Sequence, residues 1–244
     1  TPSSAEQSFS DDPLRMMRAA RFASQLEFEI APDVLAAMKS MSDRISIISA
    51  ERVRDEFVKT LMSKNPRIGI TILVETGLAD LVLPEIPKLQ LEIDEHHHHK
   101  DVYEHTLKVL EQAISLEDRL GGPNLVIRLA ALLHDIGKPK TRELIPGGGV
   151  SFHHHEVVGA RMAKERLKAL RFSNEIVDDV SALVFLHLRF HGYGTGEWTD
   201  SAVRRYIRDA EHQLIHLHVL TRADCTTRNA RKAEGLAKTY DSLE

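Results

Sequence analysis

The chain has 244 residues, 42% of them hydrophobic, which is enough for one large or two smaller cores. A single cysteine, Cys225, excludes an intrachain disulfide, and the absence of a signal-peptide pattern or an apolar run of bilayer-spanning length predicts a cytoplasmic protein with no membrane contact. The formal net charge of -4 argues against a general nucleic-acid binder, but residues 201–240 hold eight Lys/Arg against four Asp/Glu, so any RNA contact is expected to be local.

The first residues, Thr1-Pro2-Ser3-Ser4, lack a methionine and lead through a polar, loop-like stretch into a helix, which reads as a piece of something longer or as a processed terminus. Asp12-Pro13 is a helix start, because Asp accepts bonds from free first-turn amides and Pro fits the first helical position. That helix is expected to reach about Gln25. A second begins after Ala31-Pro32-Asp33, and Ser49 caps a third that places Val53, Phe57 and Leu61 on one face. Asn65-Pro66 ends it, a helix near Ile68 to Thr76 stops at Gly77, and Pro84 and Pro87 mark a domain boundary. Apolar spacing then predicts helices over Val102 to Leu116 and Leu125 to Ile136, the latter closed by Gly137. Gly147-Gly148-Gly149, flanked by Ile145 and Val150-Ser151-Phe152, suggests a small hairpin. Helices near 156–170, 174–188, 200–210 and 212–240 complete an all-α chain, predicted as a neck domain over 1–90 and a second helical domain over 91–244.

Six residues with metal-ligand side chains occur in the order His105, His134-Asp135, His155, His187 and Asp224, each in or at the edge of a predicted helix. Helices packed together can bring such residues to one interior point, and polar side chains in the apolar Leu129 to Ile136 stretch need partners there. Mixed nitrogen and oxygen ligands suit Mn, Fe, Co, Ni or Zn rather than Ca, and such an ion makes water nucleophilic at neutral pH, which points to phosphoester hydrolysis with His134 and Asp135 at its centre. Lys138 either neutralises a phosphate oxygen beside the pair or is a solvated residue near a helix end. The internal run His96 to His99 either lines the approach to this site or is a solvated loop.

This order of ligands resembles the HD phosphohydrolase superfamily. The resemblance implies one metal held by His105, His134, Asp135 and Asp224, and a second, where present, held by His155 and His187 with Asp135 bridging. His153, His154 and His191 compete for the second set.

Asp12, Arg15 and Arg18 recur at three-residue spacing along one side of the first helix. An Asp held against an Arg can present the donors and acceptors of a base edge; the alternative is an intrahelical ion pair. The run Asp11-Asp12-Pro13-Leu14-Arg15-Met16-Met17-Arg18-Ala19-Ala20-Arg21-Phe22 resembles the neck helix of class II tRNA nucleotidyltransferases, the CCA-adding enzymes and their poly(A) polymerase relatives. Ser49-Ala50-Glu51-Arg52-Val53-Arg54-Asp55-Glu56-Phe57 and the Gly77-Leu78 turn before Leu83-Pro84-Glu85 resemble the same family, many bacterial members of which carry an HD domain after the neck. The family's Glu-Asp-x-x-Arg motif, which selects CTP or ATP, reads here Asp11, Asp12 and Arg15, with Asp11 in place of Glu.

The resemblance therefore implies a C-terminal portion of a CCA-adding enzyme, with tRNA, ATP and CTP as partners of the parent and Mg in a catalytic head that has no counterpart in these residues. Two other readings stay open: a stand-alone HD hydrolase acting on nucleotides or RNA ends, and an HD module without turnover that serves RNA binding.

Overall fold

The computed structural model describes residues 4–91, 101–146, 149–189 and 199–225, together with Lys238 and Asp241. Its chain divides into two compact units, one of residues 1–90 with 165–174 and one of residues 91–164 with 175–244. Glu165 to Asn174, placed by the sequence reading in the second domain, thus counts with the first unit. The helical class expected from the sequence holds, and the sole sheet among the described residues has two strands.

In the first unit, the stretch expected to be loop-like is a helix, α1 (Ala5–Asp11). Ser4 caps it by accepting a hydrogen bond from the Gln7 amide at 3.2 Å, and Phe9, its one large apolar side chain, is buried. One apolar residue among seven gives no readable period, so tertiary burial decides this element. The next helix, α2 (Leu14–Leu26), starts as expected: Asp12 Oδ1 accepts from the Leu14 amide at 3.2 Å, and Pro13 already has helical dihedral angles. It is followed by α3 (Pro32–Ser40), a 3-10 turn over Ser42–Ile47, α4 (Ala50–Leu61) and α5 (Pro66–Glu75). Ser49 precedes α4 without making a side-chain cap bond, and Gly77, at φ 78, supplies the left-handed residue that lets α6 (Leu78–Val82) begin. A 3-10 turn over Pro87–Leu89 closes the segment.

The buried face of α2, with Met16, Met17 and Ala20, packs on α4 and α5, where Val53, Phe57 and Leu61 lie at the predicted four-residue spacing. Each large side chain so buried contributes roughly 1.5–3 kcal/mol. Within the same unit Arg166 closes on Glu85 in a forked ion pair, with Nε to Oε2 at 2.9 Å and Nη2 to Oε1 at 3.0 Å.

The second unit is built on α7 (Val102–Ser115), α8 (Leu125–Leu133) and α13 (Leu214–Asp224), which pack on one another through Leu107, Leu110, Leu129, Leu133, Leu217 and Leu220. Asp101 caps α7 through the Tyr103 amide at 2.9 Å, and Asn124 caps α8 through the Ile127 amide at 3.0 Å. Between these two helices a 3-10 turn (Glu117–Leu120) places Glu117 against Arg128 in a buried pair, Nε to Oε1 and Nη2 to Oε2 both at 2.7 Å.

Helix α8 stops at Leu133, three residues before the predicted end, so His134 and Asp135 lie in the turn that leads to α9 (Lys138–Thr141). Strands β1 (Glu143–Leu144) and β2 (Val150–Ser151) pair antiparallel with Leu144 opposite Val150, the expected hairpin; Gly147 and Gly148 lie outside the described residues. Helices α10 (His155–Ala169), α11 (Asn174–Leu186) and α12 (Asp200–Ala210) and a 3-10 turn over Glu211–Gln213 precede α13. The helix expected over 212–240 is described as far as Asp224; most of the rest, like His96 to His99 and His191, lies outside the described residues.

Candidate metal centre

Six side chains from five places in the second unit converge. His105 comes from the first turn of α7, His134 and Asp135 from the turn after α8, His155 from the start of α10, His187 from just past α11, and Asp224 from the last residue of α13. They form two groups, His105 with His134 and Asp224, and Asp135 with His155 and His187, and within each group the ligand atoms all lie within 4.8 Å of one another. All six metal-ligand residues singled out from the sequence are thus brought together, while the competitors His153 and His154 are exposed in the turn before α10.

The local backbone fixes which nitrogen of each buried imidazole faces inward. Nδ1 of His134 donates to the Ala131 carbonyl at 2.8 Å, Nδ1 of His155 to the Phe152 carbonyl at 2.8 Å, and Nδ1 of His187 to the Val184 carbonyl at 2.6 Å. A neutral ring that donates from Nδ1 presents a bare lone pair at Nε2. The three Nε2 atoms are buried and make no hydrogen bond. Two of them face a carboxylate, His134 Nε2 at 3.2 Å from Asp135 Oδ2 and His155 Nε2 at 3.3 Å from Asp135 Oδ1. Lone pairs directed at carboxylate oxygens repel unless a proton or a cation lies between them, so the donor set fits a cation. The His and Asp groups are accordingly compatible with a divalent metal site.

The electrostatics agree. Burial, the largest influence on His134, disfavours its charge, but Asp135 and Asp224 outweigh it and raise its pKa above the ordinary imidazole value. Burial likewise favours the neutral forms of Asp135 and Asp224, yet the facing imidazoles hold both below the usual carboxylate range. His187, where burial and the neighbouring His134 act together, is pushed down to about 3.

Lys138 is bound into the same cluster, its Nζ 2.6 Å from Asp135 Oδ2 and 5.6 Å from the centre of the Phe152 ring. Its ammonium is thus paired with Asp135 at the start of α9. A cavity of about 710 Å³ opens onto the cluster, lined by Lys138, Phe152, His153, His154 and Leu188 beside the ligand residues.

In the first unit, Asp12, Arg15 and Arg18 do not form the intrahelical pair that their spacing allows. Arg15 is exposed, and its Nη1 donates to Ser8 Oγ at 2.9 Å. Asp12 instead meets Arg52 at 3.4 Å, and Arg18 lies 3.8 Å from the buried Glu56, which also holds Arg21 at 2.7 Å. Arg52 and Glu56 were not singled out as partners from the sequence. Their spacing of four within α4 puts both on one helix face, which is the signal that locates them.

Residues 102–229 match the family model described as HD domain, more than half of the chain. The chain belongs to the HD-domain family. Residues 27–89 match a second model, described as the probable RNA and SrmB-binding site of polymerase A. Curated relatives include the A-adding tRNA nucleotidyltransferase of Deinococcus radiodurans, 37% identical over 190 residues that cover 75% of this chain and 43% of the relative. Another is the multifunctional CCA protein of Neisseria meningitidis serogroup B, 35% identical over 191 residues, 76% of this chain and 44% of the relative. The chain spans less than half the length of these two proteins. A crystal structure of the Bacillus stearothermophilus CCA-adding enzyme in complex with CTP shares the fold, with a TM-score of 0.62 and 22% identity over 99% of this chain and 50% of that one. The two resemblances drawn from the sequence, HD superfamily and tRNA nucleotidyltransferase, are both met by these matches.

Proposed function

We propose that this HD-family chain is the neck and HD region of a cytoplasmic tRNA nucleotidyltransferase whose partners are tRNA, CTP and ATP, and that its HD centre hydrolyses phosphoesters with a divalent transition metal. The relatives and the RNA-binding match over residues 27–89 support the parentage. On this reading nucleotide transfer needs a magnesium-dependent head that these residues do not include, and Asp12, Arg15 and Arg18 take part in base selection beside it.

The observation that carries the hydrolase reading is the set of three buried Nε2 lone pairs, each fixed by a backbone carbonyl, two of them facing Asp135. His105, His134, Asp135 and Asp224 would hold an ion, with His155 and His187 as the further set. When bound, the ion supplies Lewis-acid activation of water and of a phosphate oxygen. Asp135, ionised by its surroundings, presents one oxygen toward His134 and the other toward His155, and Lys138, which lines the cavity, offers an ammonium to a substrate phosphate. His134, deep in the cluster, keeps its lone pair aimed inward through the Ala131 carbonyl.

The test is hydrolysis of a phosphomonoester and of a cyclic 2',3'-phosphodiester with Mn, Co or Ni supplied in turn. Activity should require the metal, vanish on chelation and be absent in Asp135→Ala; equal rates in the variant and the wild type would refute the assignment.

A further inference from the structure

The two ligand groups are unequal in charge, and the inequality turns on Lys138. The group of His105, His134 and Asp224 has the Asp224 carboxylate to itself and also lies beside Asp135, whose Oδ2 is 3.6 Å from His105 Nε2 and 3.2 Å from His134 Nε2. Among the described residues, the group of His155 and His187 has Asp135 as its acid within ligand distance, through Oδ1 at 3.3 Å from His155 Nε2, while Glu156 lines the cavity beside it. That same carboxylate is neutralised by the Lys138 ammonium at 2.6 Å, in a site where Asp135 is fully enclosed. Two divalent ions would bring four positive charges to a cluster whose own balance is two carboxylates less one ammonium. One ion leaves a small excess, whereas two leave a large one in a low-dielectric setting, where uncompensated charge is costly.

Resting on the phosphohydrolase reading above, we propose that Lys138 limits the resting protein to one ion, and that the group of Asp135, His155 and His187 takes a second only together with a phosphate anion. The group is built for a cation, since Nε2 of His155 and of His187 are buried, lack a hydrogen-bond partner and point into it. What it lacks is negative charge. A phosphate entering through the cavity supplies that charge and offers Lys138 an alternative acceptor, which releases Asp135 to serve both groups. Phosphate and the second ion therefore bind with positive cooperativity, each raising the affinity of the other by the same factor. Lys138 is on this account a positioning residue that sets metal number, in addition to meeting substrate.

The experiment is equilibrium dialysis of the whole chain against Mn(II), with and without inorganic phosphate, followed by metal analysis. Mn(II) is chosen because it binds imidazole weakly compared with Ni(II) or Cu(II), so the run His96 to His99 contributes least. The wild type should hold one ion per chain alone and two with phosphate. Lys138→Met should hold two without phosphate, and Lys138→Arg, which keeps the charge, should behave as the wild type. Electron paramagnetic resonance gives a second readout, an isolated-ion spectrum for one and a coupled spectrum for two. Two ions in the wild type without phosphate, or equal occupancy in wild type and Lys138→Met, would overturn the proposal. No bound ion in any of the proteins would instead overturn the metal-site reading beneath it.

Discussion

Gly137 and His155 are pressed together so closely that a Cβ on Gly137 would overlap the His155 carbonyl, and would also lie 2.8 Å from the Gly159 amide. This contact sets the turn bearing His134 and Asp135 against the first turn of α10, and so holds His155 beside Asp135. Gly137→Ala must part the two turns. The expected cost is about 1–3 kcal/mol of stability, as for other overpacked sites. Metal affinity should fall with it, because the two groups share Asp135. Thermal melting and metal retention measured together test this, and a variant unchanged in both would show that the turns have slack.

Loss of a ligand should be felt more strongly than loss of spacing. His134→Ala and Asp135→Ala each remove a buried donor from the cluster, and affinity should fall by well over the roughly 10–100-fold typical of outer-shell changes. Metal analysis of the purified variants is the measurement. Full retention of the ion would place the metal elsewhere in the protein.

In the neck, Arg15 is exposed while Asp12 is held by Arg52, so Arg15 is free to meet a nucleotide without first breaking an ion pair with Asp12. Its loss should remove hydrogen bonds worth on the order of 1–3 kcal/mol each when charge-assisted. In the full-length enzyme, Arg15→Ala should lower discrimination of CTP and ATP from UTP and GTP by about tenfold or more. Arg52→Ala should act in the same direction by releasing Asp12. Unchanged base selection in both variants would remove these residues from the nucleotide site.

Part of the acid sensitivity should arise outside the metal cluster. Asn124, whose Oδ1 caps α8, donates from Nδ2 to His216 Nε2 at 3.0 Å. Burial, with help from His212 and against Asp179, lowers the pKa of His216 below its ordinary value. A histidine depressed in the folded state binds its proton more readily when unfolded. The stability it contributes is complete above about pH 6.5 and is lost as pH falls toward the lowered folded value. His216→Gln removes that titration, so its melting temperature should decline less than that of the wild type between neutral and mildly acid pH. Parallel declines would show that other groups govern the transition.

The helices with strong periodicity were legible because burial imposes it. Val53, Phe57 and Leu61 on α4, and Val102, Thr106, Val109 and Ala113 on α7, repeat at intervals that only a half-buried helix requires. Short elements escaped: α1 has a single large apolar residue, and the early end of α8 is dictated by the turn that aims His134 and Asp135, a requirement of the site rather than of local propensity. The convergence of the six candidate ligand residues was readable from their order, since residue type and helix placement carry that signal. Which nitrogen faces inward was not, because it depends on the carbonyls of Ala131, Phe152 and Val184 and on chain geometry that no residue type encodes. Nor was the pairing of Asp12, just before α2, with Arg52 on α4, for the three-residue spacing suggested Arg15 instead.

The forked bond between Arg166 and Glu85 bears on how the molecule can be dissected. A fragment cut near residue 90 to isolate the metal centre would keep Arg166 and discard its carboxylate, and would strip the first unit of a segment, 165–174, that includes the buried Leu167, Leu170 and Phe172. Neither piece would then be a faithful miniature. Recombinant work on the HD-matching part of the chain is better served by point variants in the intact chain than by scissors.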